Sequence, residues 1–124
     1  AVGLALEVEL LQGRVEEYCH RLGLEPPPLR LSSARTRWGS CSSRSGIRLH
    51  WRLIHLPPVL IDYVVAHEVA HLLEMNHSAR FWAVVERLYP DWRAARGALR
   101  KAAASLPVIA AAPSADSGRF GAED

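Results

Sequence analysis

His67, Glu68 and His71 stand in the pattern HExxH inside an apolar stretch of the chain. On a helix, residues four apart share a face, so both imidazoles can reach one metal ion at about 2.0–2.1 Å, while Glu68, about 100° around the axis, points toward a water on that metal. One turn of helix would thus place two ligands and a base. A catalytic zinc takes three protein ligands and keeps a fourth position open. His77, six residues past His71 and just beyond the expected helix end, can fold back to become the third. Glu74, three residues past His71 and about 60° from it around the axis, is the rival third ligand, although a ligand continuing along a straight helix must reach away from the metal. Glu74 and Tyr63, which shares the ligand face four residues before His67, are also candidates to support the ligands from outside.

The histidine spacing equals that of metzincins, but those proteases carry Gly where Glu74 stands and a methionine turn after the last His. Here the single methionine, Met75, precedes His77, which excludes that family.

These residues need elements to hold them. Apolar positions from Leu10 to Leu22 recur at helical spacing and predict a helix ending near Gly23, after which Pro26, Pro27 and Pro28 enforce extended chain. From Leu29 to Leu53 the period changes to two, clearest in Ile47, Leu49, Trp51 and Leu53 against Arg48, His50 and Arg52. With turn residues over Ser42 to Gly46, this block predicts a small antiparallel sheet with a basic outer face, on which His50 and His55 read as solvated. Trp38 and Gly39 are expected to border the cleft, where a missing side chain admits a substrate backbone; a packed Trp beside a bulge Gly is the alternative. Pro57 and Pro58 suit the first turn of the HExxH helix, with Asp62 near its positive end and Met75 near its finish. Ser78 reads as the N-cap of a helix over Ala79 to Tyr89, with Phe81, Trp82, Val85 and Leu88 as core. A last helix starts at Asp91 and carries Trp92, Ala95, Leu99 and Ala102.

The 124 residues carry a net charge of only +2, yet Pro26 to Ile61 holds six arginines (Arg30, Arg35, Arg37, Arg44, Arg48 and Arg52) and no acid. The remaining 9 basic and 13 acidic residues leave −4. The Arg30 to Arg52 face is either a solvated sheet surface or a contact for phosphates of a nucleotide or nucleic acid. No apolar run approaches the roughly 18 residues of a membrane span. Cys19 and Cys41, read as buried small side chains, form no CxxC, and a cytoplasmic location is expected.

RWGSC at Arg37 to Cys41, IRLHWR at Ile47 to Arg52, Pro57 and Pro58, HEVAHLLEMNH, and the following Ser78, Phe81 and Trp82 resemble the YgjP-like family of bacterial metal-dependent hydrolases, relatives of the SprT and WLM zincin-type proteases. The likeness runs from about Leu29 to Arg100. It implies an α+β minimal zincin, with a small antiparallel sheet packed on the HExxH helix between flanking helices. It also implies His67, His71 and His77 as ligands of Zn²⁺ and Glu68 as the general base of a metallopeptidase. A nucleoside triphosphate pyrophosphatase activity, also attributed to the family, is the alternative, and a basic docking module with structural zinc is a third reading. Arg37 and Tyr63 are candidates to stabilise an oxyanion. Such proteins often carry a further β-rich region ahead of this one, and the chain begins at Ala1 rather than Met. Residues 1–106 are therefore expected to be a zincin-like domain from the C-terminal part of a longer protein, with 107–124, rich in Ala, Pro, Ser and Gly, a disordered tail.

His77 and Glu74 are separable by zinc titration. His77→Ala should weaken zinc binding by more than the roughly 10- to 100-fold that loss of an outer partner costs, and Glu74→Ala by no more than that. The reverse order would make Glu74 the ligand.

Overall fold

The computed structural model describes residues 2–33 and 37–104, the side chains of residues 2–6 excepted. The expected tail and Arg35 lie outside the described residues. Helix α1 (Val2–Arg21) turns Leu11, Val15, Tyr18 and Cys19 inward, as the apolar spacing requires. Three short strands follow: β1 (Leu29–Ser32), β2 (Gly39–Ser42) and β3 (Gly46–His50). Helices α2 (Pro58–Ala70), α3 (Ala79–Leu88) and α4 (Trp92–Ala104) complete an α+β architecture in which α2 is the centre, packed by α1, the sheet, α3 and α4.

The sheet is mixed rather than antiparallel throughout. β2 and β3 form the expected antiparallel hairpin, but β3 lies between the other two strands and β1 pairs with it in parallel, Leu29 opposite Ile47 and Leu31 opposite Leu49. Alternation identifies a strand and its buried face without naming its neighbour. What admits β1 is Gly46, at φ +84°. A Cβ there would sit 2.3 Å from the Pro28 carbonyl oxygen, which instead accepts the Ile47 N–H at 2.9 Å. Within β3, Ile47 and Leu49 are buried and Arg48 is exposed, so the outer face is basic as expected.

The strand is shorter than its period suggests. At His50 the chain enters a 3₁₀ turn (Trp51–His55), because the His50 Nδ1 accepts the Arg52 N–H at 3.1 Å and caps the turn. Trp51 therefore comes to the surface, while Leu53 stays inside. His50, expected to be solvated, is buried against the edge of Trp38; His55 is exposed as expected.

Helix α2 starts at the proline pair but stops at Ala70, five residues before Met75. Its last turn tightens into bonds from His71, Leu72 and Leu73 back to Glu68, Val69 and Ala70, each three residues earlier. Asp62 is too far along for the helix dipole. Its carboxylate instead takes a two-point contact from Arg14, with Arg14 Nε donating to Oδ1 at 2.7 Å and Nη2 to Oδ2, which ties α1 to α2. Ser78 caps α3 as expected, its Oγ accepting the Phe81 N–H at 3.3 Å. Trp92, Ala95, Leu99 and Ala103 form the inner stripe of α4.

Burial, and after it the charge of Arg52, lowers the His50 pKa from its ordinary 6.5. The unfolded chain thus binds this proton before the folded one, and stability contributed by His50 is present above pH 6.5 and lost as the pH falls below it. Urea midpoints taken across that interval should fall with acid in the native protein, and fall less steeply in His50→Asn.

Candidate metal centre

The tightened end of α2 carries the first two histidines and releases the chain to bring round the third. His67 and His71 are buried on α2 and at its C-cap, and His77 lies on the exposed loop before α3. One ring nitrogen from each lies within 4.8 Å of the others. His67 Nε2 and His77 Nε2 are 3.3 Å apart, which is the separation of two nitrogens each about 2.05 Å from a tetrahedral ion. His71 Nδ1 stands 3.0 Å from the Glu74 carbonyl oxygen; donating to it leaves Nε2 for a metal. These imidazoles fit a zinc ion by donor type and spacing, and three ligands leave a position for substrate or water. Among the described residues the cluster is these three histidines, and the Glu74 side chain is not in it. Glu74 meets the site through its backbone.

Phe81 is the packing partner of all three rings, stacked on His71 with centroids 4.4 Å apart and edge-on to His67 at 4.8 Å and His77 at 5.0 Å. The Ser78 cap starts α3 at the position that delivers Phe81 there. The sequence signal was helical spacing, which announced a core residue but not what it would touch. Trp82 is half-buried, stacked on Trp92 at 4.4 Å with the Arg96 guanidinium 5.0 Å from its ring, which is a packing role. Tyr63 is wholly buried, its ring edge-on to His67 at 6.0 Å.

Glu68 lies on the sheet side of α2. A Cβ on Gly39 would stand 3.1 Å from Glu68 Cγ, 3.1 Å from its Oε2 and 3.1 Å from Leu49 Cδ2. The close approach expected of a substrate backbone is made by the side chain of Glu68. Gly39 and Trp38 are both buried, Trp38 completely.

A cavity of about 190 Å³ opens beside the histidines, lined by Arg37, Cys41, His71, Met75 and His77. Cys41, read as a buried small side chain, is half-buried in its wall. A larger hollow of about 490 Å³, lined by Glu7, Leu31, Ser32, Ser33 and Trp51, lies away from the metal cluster, and the donor chemistry places the site at the smaller one. Of the described arginines of the basic block, only Arg37 lines the cavity. Arg30 and Arg48 are register partners on the outer sheet face, Arg44 is exposed in the hairpin turn, and Arg52 lies over Trp51 at 4.7 Å.

A buried helix bearing HExxH, a third histidine returning from the next loop and a small sheet against the glutamate define a zincin-like metallopeptidase fold. The chain belongs to the YgjP-like family, whose metallopeptidase-domain model matches residues 7–102. It is similar to the crystal structure of the metallopeptidase zymogen abylysin of Pyrococcus abyssi, with 25% identity and a TM-score of 0.66 over 77% of this chain and 94% of that one. No curated protein matches it. The family implies a metal ion, which these three histidines could hold.

Gly39→Ala would force Glu68 or Leu49 aside by a few tenths of an ångström. Turnover should fall, by less than the roughly 100-fold that misplacing a reacting group by about 1 Å can cost, with metal content unchanged. Metal analysis beside rate measurement checks this, and full turnover would show that β2 does not position Glu68.

Proposed function

We propose that the protein is a zinc-dependent peptidase in which His67, His71 and His77 hold the metal and Glu68 is the general base. The observation that carries the reading is the convergence of three imidazole nitrogens within 4.8 Å on the same helix turn that seats Glu68 against Gly39. When bound, zinc polarises a carbonyl oxygen and makes water acidic enough to ionise near neutral pH.

The chain's own residues do the remainder. Glu68 accepts a proton from the attacking water and returns it to the leaving amine, so one carboxylate serves both halves of the reaction. It lies where a side chain on residue 39 would stand, so the glycine of β2 leaves it room. His71 is held in one orientation by the Glu74 carbonyl and the Phe81 face, and Tyr63 backs His67 from inside the core. β2, an edge of the sheet packed on α2, offers a strand beside which an extended peptide can lie. Among the described residues no helix is long and apolar enough to cross a membrane. Two cysteines that form no CxxC motif, Cys19 and Cys41, suit a reducing compartment, and we place the enzyme in the cytoplasm.

Of the arginines that favoured a nucleotide as substrate, Arg30 and Arg48 share the outer sheet face, and among the described ones Arg37 alone reaches the cavity, so that reading loses the cluster of charges it rested on. The deciding assay offers zinc-loaded protein a denatured protein and, separately, nucleoside triphosphates. Peptide cleavage should appear and fall by about 10²- to 10⁴-fold in Glu68→Gln, with zinc retained. Phosphate release that is lost in Glu68→Gln, without proteolysis, would overturn the assignment.

A further inference from the structure

Among the described residues, Arg37 is the one fixed cation in the wall of the metal-site cavity. Its side chain is half-buried, and among the described residues it joins no ion pair. Among the described residues no Asp or Glu lines the cavity, and the segment Pro26 to Ile61, which supplies its Arg37 and Cys41 wall, has no acidic residue at all. Of the nearby acids, Glu68 lies beside Gly39 on the sheet side of α2, and neither Glu68 nor Glu74 is among the residues that line the cavity. A guanidinium partly withdrawn from water, with no internal counter-charge, favours an anion that enters from outside, and its planar fork suits a carboxylate taken at two points.

The cavity also limits what that anion can be. Arg37 shares one cavity of about 190 Å³ with His71 and His77, and an extended chain advances only about 3.3–3.6 Å per residue. A group held by Arg37 therefore sits on a residue flanking the bond presented to the histidines. The same volume lies below the roughly 300–1,000 Å³ of pockets that take drug-sized ligands, and so suits one side chain better than a nucleotide. Met75, half exposed and in the same wall, gives the methylenes of such a residue an apolar surface.

We propose that Arg37 is the specificity residue of this site and binds a carboxylate on the substrate residue next to the scissile bond. This inference rests on the peptidase reading above. The carboxylate has two chemical sources, the side chain of an Asp or Glu or the α-carboxylate of a C-terminal residue, and both present the same planar anion. Arg37 is a binding group here, and its loss acts on substrate affinity rather than on the proton transfers of Glu68.

Three matched peptide sets separate the possibilities: an amidated peptide with Asp or Glu beside the scissile bond, a neutral peptide with a free C-terminus, and an amidated peptide with Asn or Gln in that position. Cleavage by zinc-loaded native protein, Arg37→Gln and Arg37→Lys gives kcat and KM for each. Calorimetric binding of the same peptides to zinc-loaded Glu68→Gln, with and without Arg37→Gln, gives affinity without turnover. The native protein should prefer one carboxylate set over the neutral set by about 10-fold or more in kcat/KM, and that set names the source. Arg37→Gln should remove the preference through KM, Arg37→Lys should keep part of it, and affinity in the Glu68→Gln background should fall by the same factor. A native protein without preference, a preference that survives Arg37→Gln, or a loss of kcat by one factor in all three sets would overturn the inference. The last result would make Arg37 an oxyanion stabiliser. If no set is cleaved, the peptidase reading fails by itself; carboxylate binding that disappears with Arg37→Gln would still support the subsite, and binding indifferent to Arg37 would end it.

Discussion

Ten of the thirteen residues of α2 are buried, and His67 and Glu68 are among them, with His71 buried at the helix end. Burying imidazole and carboxylate groups costs free energy unless each meets a partner, so a helix hydrophobic on every side except at these positions imposes a condition on its surroundings. The neighbouring elements meet that condition. α1 and α4 cover the apolar faces, and β2 presses a glycine onto Glu68. α3 brings Phe81 against the three rings, and the loop between α2 and α3 returns His77 to the same point. The fold can be described as what it takes to keep one polar turn inside an apolar helix.

Stiffness at the site comes from short covalent distances as well as from packing. The Glu74 carbonyl that addresses His71 lies three residues along the chain, and the i to i−3 bonds that end α2 fix the path between them. Had α2 continued straight to Met75, neither the carbonyl nor His77 would face the histidines. The sheet contributes rigidity of another kind. Gly46 lets β1 approach β3, β3 holds β2 in register, and β2 holds Glu68 through Gly39. Two glycines, one needed for its positive φ and one for its missing side chain, therefore connect the N-terminal strand to Glu68.

Legibility in the sequence followed the range of the interaction. Helix α1, the proline start of α2, the Ser78 cap, the stripe of α4 and the β2–β3 hairpin all arise from neighbours a few residues apart, and spacing revealed them. The fates of His50, Trp51 and Cys41 were not legible. Each was decided by a contact whose partner is invisible to a periodic pattern: the cap on Arg52 and the ring of Trp38 for His50, and the cavity wall for Cys41. The parallel placement of β1 was hidden for the same reason, since a strand's alternation marks its faces and not its neighbour.

The sequence by itself determined the phase of the candidate donors, two imidazoles one helical turn apart with a carboxylate beside them, which follows from the 3.6-residue turn, and left His77 and Glu74 as alternatives for the third. Tertiary structure decided what lies beside Glu68, which atom of Glu74 serves His71, and that Arg37, alone among the described arginines of the basic block, shares the cavity with His71 and His77. Those outcomes depend on where separate elements come together, and close packing of the core settles that, whereas spacing within an element does not.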